Sequence, residues 1–406
     1  MDSINIIFKN KRDQFELPDG IIYLDGNSLG PLPKVSRERV AACVSDEWGE
    51  MLIGGWNKAD WIGLPMRCGN AIANLIGAPE GSVLCADTTS INVFKVLSSA
   101  LQLNSDRKVV LSDTGNFPSD LYIAQGLLAG LGGLDQGYDL KTTAPEDVAA
   151  ALDDSVAVLM LTEVDYRTGR KHDMMELTRL AHDKGILTIW DLCHSAGAMV
   201  VDLEAAGTDF AIGCTYKYLN GGPGAPAYAY VRPDHAENIQ PLLSGWLGHE
   251  TPFAFDLDYR PSAGIGRFQV GTPSVMGMTS LEAALSLWDD VDMAALQAQS
   301  HYLTDLFISE VDGWGEGYGL ELASPKDARM RGSQVSWHHP EGFAIMQALI
   351  SEGVIGDFRA PDIIRFGIAP LFVSEGDVIV AAEKLHHILQ NRLWDNPAFK
   401  IKATVT

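Results

Sequence analysis

The chain has 406 residues, 46% of them hydrophobic, enough for one large and one smaller cored domain and too apolar for a disordered polypeptide. Its formal net charge of −23 repels polyanions at long range, which argues against nucleic acid as a partner while leaving room for a local cationic site that holds a small anion. The five cysteines are scattered and lack CxxC spacing, so neither a disulfide framework nor a metal centre is expected, and a reducing compartment fits best.

The first stretch, MDSINIIFKNKRDQFELPDG, carries charges throughout and has no apolar block followed by small residues, so no signal peptide is expected. No run approaches the roughly 18 consecutive apolar residues of a membrane span. The expectation is a soluble, cytoplasmic protein without a membrane partner. VLCADT (83–88) reads as a buried strand, SINVFKVLSSALQL after it as a helix, and KVVLSD (108–113) as the next strand. VAVLMLTEV (156–164), ILTIWD (186–191) and DFAIGCTYK (209–217) each read as a buried strand ending in polar residues. Between the first two of these, Asp173 is placed to cap a helix whose apolar face is Leu177, Leu180 and Ala181, with Lys184-Gly185 closing the last turn. Strand, helix, strand at this spacing is a βαβ unit, which implies a parallel sheet in an α/β domain. NGGPGAPAYAYVR then bends the chain into another strand, and from about residue 290 long helices and shorter strands suggest a second domain. The expected division is a large cofactor-binding domain over 51–290, with 1–50 and 291–406 forming an N-terminal segment and a small C-terminal domain.

Ligands of such sheets collect at the carboxyl ends of the strands. Lys217 follows the small and apolar AIGCTY, where its ammonium is partly desolvated and its neutral, nucleophilic form favoured. Asp191 follows ILTIW, a place where a carboxylate is costly unless paired, and His194 is three residues on. Asp87-Thr88-Thr89-Ser90 lies between a strand and a helix, where free backbone N–H groups favour a phosphate. FPSD (117–120) offers an aromatic face with a carboxylate nearby. Each element has an ordinary alternative: a surface lysine, a helix-capping Asp, a satisfied histidine, plain N-capping, a buried Phe in a turn. Taken together in this order on one sheet, an anion cradle, an aromatic ring, a carboxylate and an amine are the parts that a pyridoxal phosphate site requires.

Beyond these parts, YLDGNSLGPLP (23–33), TTSIN (88–92), FPSD, TEVDYRTGR (162–170), WDLCHSAGA (190–198), GCTYKYLNGGPGAP (213–226), SGWLGH, QVGTPS (269–274) and IIRFGIAPLF (363–372) resemble the kynureninases over most of the chain. These are fold-type I pyridoxal phosphate enzymes related to the class V aminotransferases. The resemblance implies an α/β large domain with a mainly parallel seven-stranded sheet between helices, and a smaller α+β domain. It implies that Lys217 forms the imine with pyridoxal 5′-phosphate and carries the proton at the substrate α-carbon, that Asp191 pairs with the pyridine nitrogen, and that Phe117 stacks on the ring. Asp120, Thr162 and His194 would line the cofactor, and Thr89, Ser90, Tyr216 and Trp246 would hold its phosphate. Tyr216 is also the candidate proton relay. Thr272 would reach the site of a second subunit, making a homodimer with shared active sites. Arg365 would clamp the substrate α-carboxylate, Asn27 and Ser28 of GNSLG would stand with it, and Trp56 with Gly271 would wall the aryl ring, Trp61 competing for that place. The implied reaction is hydrolysis of L-kynurenine to anthranilate and L-alanine, within tryptophan breakdown or NAD supply. GTPS is similar to bacterial members, where animal members tend to have Asn at the place of Thr272; this favours kynurenine over its 3-hydroxy form. A cysteine desulfurase is the nearest rival, but it needs a mobile cysteine in the C-terminal half, and every Cys here precedes residue 215. A catalytically silent scaffold of the same fold has no reason to keep Lys217, Asp191 and Arg365 together.

Overall fold

The strands read from the apolar runs assemble side by side in the computed structural model, which describes residue 8 and residues 11–401. They are β1 (Val83–Cys85), β2 (Val109–Asp113), β3 (Asp139–Thr143), β4 (Val156–Thr162), β5 (Leu187–Asp191), β6 (Phe210–Gly213) and β7 (Tyr228–Val231). Their order in the sheet is β1-β7-β6-β5-β4-β2-β3. The strands β6, β5, β4, β2 and β3 are parallel, and β7 runs antiparallel to both β6 and β1, so the sheet is mixed at one edge only.

The continuous hydrophobicity of β4 has a direct cause, for all seven of its residues are buried. Leu159 and Leu161 face one core together with Trp190. Val158 and Met160 face the other, with Val93, Val96 and Leu97 of helix α1 (Thr89–Leu103). A strand covered on both faces cannot alternate polar and apolar residues. Helix α2 (Met174–His182) starts where its cap requires: the Asp173 side chain accepts from the Glu176 N–H, and the chain turns at Gly185 with φ of +68°.

One strand ends earlier than its sequence suggests. β6 stops at Gly213, and Lys217 stands in the following loop rather than on the strand. The strand's last residue is a glycine because a side chain at Gly213 would collide with the ring of Tyr228, its register partner on β7. The loop is then pinned as the Thr215 hydroxyl donates to the Pro226 carbonyl at 2.6 Å and the Gly221 N–H to the Thr215 carbonyl at 2.9 Å.

A four-stranded antiparallel sheet, ordered β8-β9-β11-β10, follows from β8 (Glu321–Leu322), β9 (Gln334–His338), β10 (Asp357–Arg359) and β11 (Ile363–Gly367). It packs with helix α3 (Met293–Asp312). The N-terminal segment joins it, as Ile22–Tyr23 pairs in parallel with Val354–Ile355 and Asp25 bridges to Gly367. Among the described residues no helix is long and apolar enough to cross a membrane.

At the opposite end of the sheet from the strand carboxyl ends, Asp209 is fully buried and accepts from the Thr188 N–H, with Nε2 of His182, Nε2 of His235 and Nη1 of Arg232 each 2.8 Å away. Burial alone would raise its pKa, but the hydrogen bonds from His182 and His235 outweigh it and hold the carboxyl well below its usual range. A carboxyl depressed in the folded state adds stability above its unfolded pKa, and that stability disappears as pH falls through the folded value. Asp209→Asn should therefore cost roughly 3 kcal/mol at neutral pH, a loss typical of breaking a buried ion pair. It should also flatten the acid side of the stability profile below about pH 4. Urea denaturation from pH 7 downward checks both; a wild-type midpoint would remove the assignment.

Candidate active site

The carboxyl ends of β4 and β5 and the loops after β2 and β6 enclose one cavity, and nine of the expected cofactor residues line it. Thr89 and Ser90 form one end, Phe117 and Asp120 a side, and Thr162, Asp191, His194, Tyr216 and Lys217 the rest. Ser119, Tyr166 and Cys193 also line it, and none of these three was singled out from sequence. Ser119 lies within the FPSD motif itself, one residue into a helix, where its hydroxyl meets that of Ser90 at 2.9 Å.

Asp191 and Thr162 are register partners on adjacent strands, which places the Thr162 hydroxyl 3.4 Å from Asp191 Oδ2. The Cys193 N–H donates to Asp191 Oδ1 at 2.7 Å. Burial raises the pKa of Asp191, while the Cys193 hydrogen bond and the charge of Lys217 act the other way. Asp120, in the first turn of the Pro118–Gly130 helix, is buried too, and burial reinforced by Asp191 pushes it well up. Two enclosed carboxyls thus face one cationic side chain, Lys217.

The Lys217 Nζ sits 3.0 Å from His194 Nε2. Burial, then the charge of Lys217, pushes the His194 pKa far down, so the ring is neutral. A neutral ring accepting from the ammonium at Nε2 carries its own proton on Nδ1. That Nδ1 is buried and has no partner among the described residues. At the other end of the cavity, the Thr88 side chain caps α1 by accepting from Ile91, leaving Thr89 and Ser90 in a first turn whose N–H groups and dipole suit a phosphate. Phe117 precedes the helix at Pro118 and meets the Tyr166 ring edge-on, with centroids 5.1 Å apart.

Arg365 is beside the cavity rather than in its wall. It is buried on β11, and its Nη1 donates to the carbonyl of the cavity residue Tyr166 at 2.6 Å. Its Nη2 reaches the Ser28 hydroxyl at 2.6 Å and pairs with Asp357. Asn27 is fully buried, and a side chain at Gly367 would collide with it, which fixes the GNSLG segment against the small sheet.

Seven expected residues do not line the Lys217 cavity of their own chain: Arg365, Asn27 and Ser28 beside it, and Trp246, Gly271, Thr272 and Trp56. Trp246, 43% exposed, meets the Phe253 ring edge-on with centroids 5.7 Å apart. Gly271 and Thr272 line a separate cavity with Asp87 and Gln269. Trp56 packs edge-on against Trp61, whose indole N–H is tied to Glu47 at 2.7 Å. The competitor Trp61 is therefore a core residue.

This geometry has close relatives. Residues 296–385 match the family model described as the kynureninase C-terminal domain. The chain is 48% identical over 400 residues to the kynureninase of Pseudomonas fluorescens, covering 97% of this chain and 95% of that one. It is 47% identical, with the same coverage, to the kynureninase of Burkholderia pseudomallei strain 1106a. The chain belongs to the kynureninase family. With the family come its enzyme class, a hydrolase, and its cofactor, pyridoxal 5′-phosphate. In fold, the chain is similar to the apo cysteine desulfurase of Thermococcus onnurineus NA1, with TM-score 0.76, 19% identity, and 94% of this chain and 98% of that one covered. It is equally similar to the cysteine desulfurase CsdA of Escherichia coli, with TM-score 0.76, 18% identity, and coverage of 95% and 98%.

The kynureninase cofactor fits the chemistry of the cavity. A protonated pyridine nitrogen would give the buried Asp191 a cationic partner, and a phosphate would suit the free N–H groups at the start of α1. The orphaned Nδ1 of His194 offers a donor to a ligand atom. Asp191→Asn keeps the volume and removes the charge, so it should weaken cofactor binding on the order of tenfold to a hundredfold, the scale of one hydrogen bond to a charged group. Equilibrium titration of the apoenzyme with pyridoxal phosphate measures this, and an unchanged dissociation constant would contradict the pairing.

Proposed function

We propose that this chain hydrolyses L-kynurenine to anthranilate and L-alanine, with Lys217, Asp191 and Tyr216 as its catalytic side chains. The observation that carries this reading is the half-buried amine of Lys217, 3.0 Å from a neutral histidine and sharing a cavity with two buried carboxyls.

Bound pyridoxal phosphate supplies an electron-withdrawing pyridinium ring and an aldehyde that condenses with amines. In this reading Asp191 holds the ring nitrogen protonated, Phe117 covers the ring face, and Thr89 and Ser90 hold the phosphate. Asp120 and Thr162 border the ring. Lys217 anchors the cofactor through its amine and, once the substrate amine has taken that place, moves the proton at the substrate α-carbon. His194 stays neutral beside it, placing a hydrogen-bond acceptor rather than a second positive charge 3.0 Å from Nζ. Burial raises the pKa of the Tyr216 phenol, which keeps it protonated; in this reading it relays protons to the substrate from beside Lys217. Arg365 contributes positive charge toward the substrate carboxylate, with Asn27 and Ser28 orienting it. Water adds to the aryl ketone, and the Cβ–Cγ bond breaks.

Two copies complete the site in this reading. Thr272, outside the cavity of its own chain, reaches the site of the partner copy, Trp246 joins Thr89, Ser90 and Tyr216 at the phosphate, and Gly271 and Trp56 wall the aryl ring. The division of the chain at residues 51 and 290 belongs to the same proposal, since it puts all strands of the seven-stranded sheet in one unit and the carboxylate-binding β11 in the other. A desulfurase reading is disfavoured because all five cysteines are buried.

The test is to mix the purified holoenzyme with L-kynurenine and follow anthranilate fluorescence. The wild type should release anthranilate, while Lys217→Ala should lose both turnover and the visible absorbance of the bound cofactor. A wild-type spectrum in that variant would remove Lys217 from its role.

A further inference from the structure

Two thiols stand at the wall of the cavity, and nothing in the proposed reaction uses them. Asp191 and Ile212 are register partners on the parallel strands β5 and β6, and the ladder continues as the Leu192 N–H donates to the Ile212 carbonyl at 2.8 Å. Cys193 and Cys214 are two residues past those partners, so they are neighbours across the strand ends. The Cys214 N–H donates to the Cys193 Sγ at 3.1 Å, and the Cys214 Sγ is 3.9 Å from the Cys193 carbonyl oxygen. Neighbouring strands are ~4.8 Å apart, inside the range of roughly 4.4–6.8 Å between the Cα atoms of a disulfide. Both cysteines are free.

The pair differs from two packed side chains in its charge and its connections. Cys193 lines the cavity with Lys217, and Cys214 is buried beside it. Burial would raise the Cys214 thiol, but the hydrogen bond with Cys193 and the charge of Lys217 outweigh it and bring the thiol below its ordinary value. The same hydrogen bond, with burial, pushes the Cys193 thiol up. One sulfur is therefore the nucleophile and the other holds the proton, the asymmetry by which a dithiol closes. The backbone ties the pair to the groups expected to hold the cofactor. The Cys193 N–H donates to Asp191 Oδ1 at 2.7 Å, and the next residue, His194, is 3.0 Å from the Lys217 Nζ.

We propose that Cys193 and Cys214 are an oxidisable dithiol whose closure to a disulfide loosens the hold of the site on its cofactor, with a peroxide as the oxidant. The Cys214 thiolate attacks one peroxide oxygen, the O–O bond breaks, and the other oxygen leaves as water with a proton from solvent, giving a sulfenic acid. Cys193 then attacks that sulfur. The S–S bond forms as the S–O bond breaks, and the hydroxide leaves as a second water with the Cys193 proton. The two thiols together lose two electrons, which the peroxide gains. Closure draws the two Cβ atoms to about 3.8 Å, which shifts the peptide that holds Asp191. This inference rests on the cofactor lying against Asp191, as proposed above. A ring bound there covers Cys193, so the cofactor protects the pair.

The test treats apoenzyme and holoenzyme with hydrogen peroxide and maps each by peptide mass spectrometry without reduction. The apoenzyme should lose two hydrogens in a Cys193–Cys214 cross-link, and the holoenzyme should form it more slowly. The dissociation constant of the cross-linked protein for pyridoxal phosphate should rise on the order of tenfold, the scale of one hydrogen bond to a charged group. Dithiothreitol should restore it. Cys214→Ser, compared with its own untreated protein, should form no cross-link and keep its affinity. Two reduced cysteines after treatment, a Cys68–Cys85 cross-link in place of this one, or an equal loss of affinity in Cys214→Ser would overturn the proposal. A cross-link that leaves the affinity unchanged overturns the coupling if Asp191→Asn weakens cofactor binding, and overturns the placement of the cofactor if it does not.

Discussion

The contact between the Lys217 amine and the neutral ring of His194, enclosed with the carboxyls of Asp191 and Asp120, is the interaction on which the rest of this structure turns. Asp191, Asp120 and His194 are buried, so an unpaired charge or donor among them is expensive. The protein leaves several such groups incompletely paired in one place. A folded chain tolerates that where a ligand completes the pairing, and here the open groups are the Nδ1 of His194 and the first-turn N–H groups of α1. Both suit the kynureninase family's cofactor.

The fold serves this cavity through register. Thr162 and Asp191 end neighbouring strands at the same level, so their side chains meet without any special loop. Lys217 arrives from a loop instead, and the N-terminal segment helps fix that loop. The Gly30 N–H donates to the Tyr216 carbonyl at 2.8 Å, and any side chain at Gly30 would strike the Lys217 carbonyl. The glycine of GNSLG therefore lets two distant stretches of backbone touch. The same segment carries Ser28 to Arg365, so the amine end and the carboxylate end of the proposed substrate site are tied together by a few residues.

Where the sequence was informative, one physical cause dominated locally. The buried strand β4 could be read because both of its faces are covered, and α2 because Asp173 caps it within its own turn. The residues lining the cavity followed from strand ends and from the family resemblance. What was misread depends on contacts between distant segments. The loop after β6 is held by Thr215, which meets Pro226 just before the next strand and Gly221 within the loop. Tyr166 enters through its position beside Phe117, and the saturation of Arg365 needs Tyr166, the adjacent Asn27 and Ser28, and Asp357 from three separate stretches.

The most direct measurement of the central claim is to reduce the holoenzyme with borohydride, digest it, and locate the lysine that carries the cofactor by mass spectrometry. The account predicts a single pyridoxyl adduct, on the peptide containing Lys217. An adduct on any other lysine, or none, would contradict it.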